Sequence, residues 1–101
     1  MKLLNFDENG IYCEKAGVYI DPWKPVNKAI ITHGHSDHAR AGHKAYASTP
    51  ETALIMQHRL GSELPVSPYA YGETFTINGV QFSFHPAGHI VGSAQLRVAY
   101  N

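Results

Sequence analysis

Four side chains of metal-binding type fall within six positions: His33, His35, Asp37 and His38, in the run T-H-G-H-S-D-H. The pattern is H-x-H-x-D-H. On an extended backbone, residues two apart face the same way, so His33 and His35 can reach one metal together. Asp37 and His38 fall where the chain is expected to turn into a short helix, which aims them at a second point a few ångströms away. Gly34 and Ser36 fill the gaps with small side chains that let the backbone approach closely. Imidazole and carboxylate form a ligand set that suits Zn²⁺, Fe or Mn. The competing explanation is a chance group of polar residues in a loop. A lone histidine would favour it; four ligand types directly behind an apolar strand do not.

A second cluster lies in His85-Pro86-Ala87-Gly88-His89-Ile90-Val91-Gly92-Ser93-Ala94. Gly88 beside His89 lets the loop carry that imidazole towards the first cluster. His85 is read as structural, because Pro86 favours an extended backbone before it. The remaining histidines take plainer readings. His58 is expected on a helix, half-buried. His43 lies five residues beyond the motif and is at most a hydrogen-bond donor to a ligand. Cys13, in an apolar strand, is an inert buried thiol.

Positioning these residues needs strands behind each cluster. Residues 28–32 (KAIIT) form a continuous, β-branched run that suits a buried strand leading into His33. Residues 11–14 and Val18–Ile20 read as a hairpin around Lys15-Ala16-Gly17, following an apolar run at 3–6 and a turn at Glu8-Asn9-Gly10. Two prolines make Asp21-Pro22-Trp23-Lys24-Pro25 a loop. Residues 37–41 are expected to be a short helix with Ser36 as its cap and Gly42 as its stop, and 44–47 a short strand. Thr49 can cap a helix over Pro50–Leu60, with proline at its first position, Glu51 in its first turn and Gly61 ending it. Leu54, Ile55 and His58 share one face of that helix. Thr74–Ile77 and residues 80–84 flank Asn78-Gly79, a strong hairpin signal, with Phe82 and Phe84 on one side and Gln81, Ser83 and His85 on the other. Ala94–Tyr100 alternates as a further strand.

The chain has 101 residues, 44% apolar and 16% charged, which suits one globular domain over 1–101. Its strand at Ala94–Tyr100 has no closing element behind it, which predicts a domain truncated at its C-terminal end. An open edge there and an uncovered apolar face would favour association. Acidic and basic side chains balance at zero formal charge, so no basic field gathers a polyanion. A single cysteine excludes a disulfide framework and points to the reducing cytoplasm. No apolar run reaches the roughly 18 residues of a membrane span, and no signal peptide is evident at MKLLNFDENG.

Asp21 in YIDPW, the H-x-H-x-D-H run and PAGHIVGSA at 86–94 resemble the metallo-β-lactamase superfamily. Within it they resemble the nucleic-acid-processing branch that includes the β-CASP enzymes. The strings VYIDPWKPVNKAIITHGHSDHARAGH and YGETFTINGVQFSFHPAGHIVGSAQLRV are most similar to the ligase-associated DNA exonucleases. The resemblance implies an α+β fold, the amino-terminal half of an αββα sandwich, with a mixed, mainly antiparallel sheet and flanking helices. It implies a zinc-dependent phosphodiesterase acting on nucleic acid, DNA in the first instance, with a DNA ligase as a partner and a role in DNA repair. Residue by residue, His33, His35 and His89 match the ligands of one zinc. Asp37 and His38 match ligands of the second zinc and are the catalytic candidates. Asp21 matches an aspartate that orients a ligand histidine. The family's metal-bridging aspartate and last histidine have no counterpart in 1–101. Two zinc ions are therefore expected in a complete protein and one or none in this chain. Two alternatives stand beside this reading: a hydrolase of the same fold acting on a thioester, lactone or RNA, and a non-catalytic metal-binding fragment.

Overall fold

The computed structural model describes residues 3–34, 39–87 and 94–100. The chain first lays down a six-stranded sheet in sequence order: β1 (Asn5–Asp7), β2 (Gly10–Cys13), β3 (Val18–Ile20), β4 (Lys28–Ile30), β5 (Ala45–Ser48) and β6 (Val66–Pro68). The first three strands are antiparallel, whereas β3, β4, β5 and β6 run parallel. The helix α1 (Pro50–Leu60) connects β5 to β6. A second, three-stranded antiparallel sheet follows: β7 (Thr74–Ile77), β8 (Val80–Pro86) and β9 (Ala94–Tyr100).

The layering follows from strand periodicity. Ile30 faces the second sheet, in a core with Cys13, Val18, Phe75, Val80, Phe82 and Phe84. Its neighbours Ala29 and Ile31 face the other way, onto a core with Tyr46 and Met56 beneath α1. Alternate residues of one strand thus serve two cores, as a pleat with both faces covered requires. The layers stack as helix, sheet, sheet, an α+β arrangement of the kind expected. Asn78 and Gly79 both take positive φ, 50° and 83°, which is the turn that joins β7 to β8 without splaying them. Asn78 Nδ2 also donates to Lys15 O at 2.6 Å, tying that turn to the β2–β3 corner of the first sheet.

Thr49 caps α1 by accepting from the Thr52 backbone N–H at 3.3 Å, and the helix begins and ends where proline and glycine predict. Its most buried side is not the face shared by Leu54, Ile55 and His58, of which only Ile55 is half-buried. Thr52, Ala53 and Met56 are buried, whereas Leu54 is 68% exposed and His58 is exposed. The small Thr52 and Ala53 bring the helix close to the sheet, and Met56 fills the space below it.

Two strands went unanticipated. β6 contains a proline and follows Pro65, a composition that reads as loop; the strand forms because it is the sheet edge, where a missing donor costs nothing. β1 is a short, mostly polar edge strand. The expected helix at 37–41 is not found in its described part, 39–41. There the carbonyls of Ala39 and Arg40 accept from the side chains of Arg59 and Tyr46 instead of from a following helical turn. The outward face of the second sheet is polar rather than apolar: Thr74, Thr76, Gln81, Gln95 and Arg97 are exposed. Among the described residues no helix is long and apolar enough to cross a membrane.

Candidate metal centre

Parallel strands bring their carboxyl ends to one edge, and in open sheets that edge is where ligands bind. Here Asp21 follows β3, and Thr32 and His33 lie just past β4. The Asp21 N–H donates to Ile30 O at 2.9 Å, which holds the two strand ends side by side. Asp21 has φ of 46°, a left-handed conformation that aspartate tolerates better than most side chains. This turn swings its carboxylate onto the neighbouring strand end.

The result is a three-residue hydrogen-bond chain. Asp21 Oδ1 accepts from the Thr32 backbone N–H at 2.8 Å, and Asp21 Oδ2 accepts from the Thr32 hydroxyl at 2.6 Å. Thr32 Oγ1 also lies 2.9 Å from His33 Nδ1. A threonine hydroxyl has one proton, and the shorter bond to a carboxylate takes it. Thr32 Oγ1 must then accept from His33 Nδ1–H. Nδ1 is then the nitrogen that carries a proton, which leaves Nε2 as the nitrogen through which the neutral ring can bind a metal. All three residues are half-buried.

The described residues that flank the second cluster lie close to the first. Pro86 and Ala94, which flank the sequence run containing His89, pair across β8 and β9. The Ala94 N–H donates to Thr32 O at 2.7 Å, so the start of β9 is bonded to the residue before His33. His35, Asp37, His38 and His89 themselves lie outside the described residues. Of the expected site, the structure therefore joins Asp21 to His33. Among the described residues no three His, Cys, Asp or Glu side chains gather as a metal site. The chemistry of His33 nonetheless suits zinc: an imidazole with its Nδ1 held by an oxygen chained to a carboxylate, which leaves Nε2 for the metal.

Of the other described histidines, His43 and His85 have partners in the fold. His43 is buried; its Nδ1 accepts from the Val26 N–H at 3.1 Å, and burial lowers its pKa from the usual 6.5. Its Nε2 is buried with no hydrogen-bond partner among the described residues. The ring stands 5.0 Å from that of Tyr46. His58 is exposed on α1, and His85 Nε2 lies 2.9 Å from Ser83 Oγ. Cys13 is a free, buried thiol.

Thr32 and Arg59 escape motif reading, and Gly34, expected to allow a close approach, has a partner the motif does not name. Thr32 could have been noticed only as a hydroxyl adjoining the first histidine. Gly34 packs so closely on α1 that a Cβ there would meet Ile55 Cγ2 at 2.8 Å. Arg59, from the last turn of α1, donates to the carbonyls of Gly34 and Ala39.

No family model matches the chain. It is 37% identical over 90 residues, 86% of its length, to a probable DNA ligase of Opitutus terrae, and 32% identical over 75 residues, 73% of its length, to the endoribonuclease ysh1 of Emericella nidulans. It spans only 9% and 8% of those two curated relatives. Among solved structures it is similar to a HARLDQ-motif mutant of a metallo-β-lactamase from Cronobacter sakazakii, with a TM-score of 0.58 and 16% identity. That match covers 96% of this chain and 50% of the other.

Proposed function

From a chain that has the metallo-β-lactamase fold, matched over half the length of a solved example, we propose a metal-dependent phosphodiesterase, with DNA as substrate. His33, His35 and His89 hold one zinc. Asp37 and His38 contribute to a second zinc position, which needs further ligands, and are the catalytic candidates. The observation that carries the reading is the Asp21–Thr32–His33 chain at the carboxyl ends of parallel strands. It orients one histidine with Nε2 as its metal-binding nitrogen, while the Ala94–Thr32 bond supports bringing His89 to the same edge.

When bound, divalent ions supply positive charge to a phosphate oxygen and make a water acidic near neutral pH. That local charge answers the zero net charge of the chain. Asp21 holds Thr32 through two bonds, Thr32 holds the Nδ1 proton of His33, and the His33 ring is thereby kept from rotating. The similarity to a probable DNA ligase supports DNA as substrate and a ligase as partner. The similarity to an endoribonuclease supports RNA as a second reading.

Metal analysis by native mass spectrometry, beside cleavage assays on single-stranded DNA, double-stranded DNA and RNA, tests the proposal. The expected result is at most one tightly bound zinc in this chain, lost in His33→Ala, with little or no cleavage. Wild-type chain that binds no zinc overturns the metal reading. Two zincs with strong cleavage abolished by His33→Ala would show that the second position is complete.

A further inference from the structure

Arg59 lies in the last turn of α1, remote in sequence from every expected ligand. Its Nη1 donates to the carbonyl of Gly34 and its Nη2 to the carbonyl of Ala39. These two residues stand immediately before and immediately after His35-Ser36-Asp37-His38. One guanidinium therefore bridges the two ends of the tetrapeptide that carries three of the five proposed ligands.

The guanidinium is planar and its donors are fixed relative to one another, so a fork on two carbonyls sets the distance between them. A lysine ammonium has no such fixed geometry. The platform behind the fork is rigid. Ile55, one turn before Arg59 on the same helical face, packs against Gly34 so closely that no Cβ fits there. Met56 is buried under α1, and Thr49 caps its start. Helix α1 thus holds the flanks of the segment twice, by Ile55 on Gly34 and by Arg59 across Gly34 and Ala39. Charge makes the placement informative. A cation beside a proposed dication site opposes metal binding by Coulomb repulsion, so a geometric role is needed to offset it.

We propose that Arg59 is a positioning residue for the metal centre, holding the ends of the ligand-bearing segment at a set separation before metal arrives. The inference rests on the zinc reading above. Preorganisation of this kind removes ordering cost from the binding step, so its loss is read in metal affinity.

The test is zinc affinity of the chain by competition with a chromophoric chelator, for wild type, Arg59→Gln, Arg59→Lys and His33→Ala. Amide hydrogen exchange over residues 33–40 and thermal unfolding are measured on the same proteins in excess chelator. Arg59→Gln is expected to bind zinc about 10–100-fold more weakly, as outer supports of metal ligands do. Exchange over 33–40 quickens without metal, and Arg59→Lys restores only part of the affinity. A folded Arg59→Gln chain with wild-type affinity overturns the proposal. So does a variant whose zinc-free stability falls while its folded fraction binds zinc normally, since that is a purely structural role. If Arg59→Gln does not fold, Arg59→Lys decides by the same criteria. Wild type that binds no better than His33→Ala overturns the zinc reading itself, and the positioning role with it.

Discussion

Thr32→Val is the most direct probe of the hydrogen-bond chain. Valine keeps the branched shape and the β preference but removes the hydroxyl. The backbone N–H to Asp21 Oδ1, 2.8 Å, survives, while the 2.6 Å bond to Oδ2 and the 2.9 Å contact to His33 Nδ1 are lost together. A hydrogen bond to a charged group is worth about 1.5–3 kcal/mol net. Asp21 and Thr32 are half-buried, so water can replace part of it, and the lower end applies. At about 1.4 kcal/mol per factor of ten, the loss corresponds to about tenfold weaker zinc binding. That agrees with the lower end of the 10–100-fold cost of removing supports behind metal ligands. Thr32→Ser restores the hydroxyl and is expected to restore most of the affinity. The assay is chelator competition at fixed pH, with circular dichroism to confirm folding. A folded Thr32→Val chain with wild-type affinity would refute the argument that the hydroxyl fixes the His33 tautomer.

Gly34→Ala forces a Cβ to within 2.8 Å of Ile55 Cγ2 and is expected to destabilise the chain by about 1–3 kcal/mol in urea unfolding. Adding Ile55→Ala removes the clash, so the double variant is expected to lose less than the sum of the single changes; strict additivity would count against the packing account. His43 has a folded pKa below its usual 6.5 because of burial, so the unfolded chain takes up a proton first as pH falls. Stability of the chelator-treated protein is therefore full above about pH 6.5 and declines below it, more steeply in wild type than in His43→Gln, as urea midpoints at several pH values would show. Equal slopes in the two proteins would remove His43 as the cause. His58→Ala, at an exposed position on α1, leaves zinc content unchanged by mass spectrometry; a clear loss would mean that His58 is a ligand.

The parts of the fold that were legible are those in which local chemistry and tertiary packing agree. The Asn78-Gly79 hairpin is one, since both residues adopt the positive φ that their types allow. The α1 boundaries are another, set by Thr49, Pro50 and Gly61. Two layers of strands with α1 against one face were also as expected. The misses occur where a neighbour decides. β6 is a strand only because β5 accepts it at the edge, and residues 39–41 lose their helical hydrogen bonds to Arg59 and Tyr46. The buried side of α1 escaped because the helix is weakly amphipathic and meets the sheet through Thr52 and Ala53 rather than through Leu54. At the candidate site, residue types pointed to His33 and the resemblance to Asp21. Their connection through Thr32 depends on the register of β3 against β4, which no local pattern encodes.

The stretch from Thr32 to Gly34 shows how such a register becomes chemistry. Thr32 receives Asp21 from the end of β3 on its N–H and hydroxyl, and Ala94 from the start of β9 on its carbonyl. Gly34 receives Arg59 from the end of α1 on its carbonyl. His33 lies between, so its backbone is fixed on both sides by elements from three different parts of the chain. A histidine on a free loop would have to be ordered by the metal itself, at about 1–2 kcal/mol for each backbone residue restrained. Here folding has already met that cost for residues 32–34, because the two hydrophobic cores hold β3, β4, β9 and α1 in place. Coupling between core and ligand follows directly. On the proposed zinc reading, truncating a buried residue such as Phe84 or Met56 is expected to loosen the elements that hold Thr32 and Gly34 and so to weaken zinc binding. Chelator competition on Met56→Ala would measure this, and unchanged affinity in a folded variant would count against the coupling.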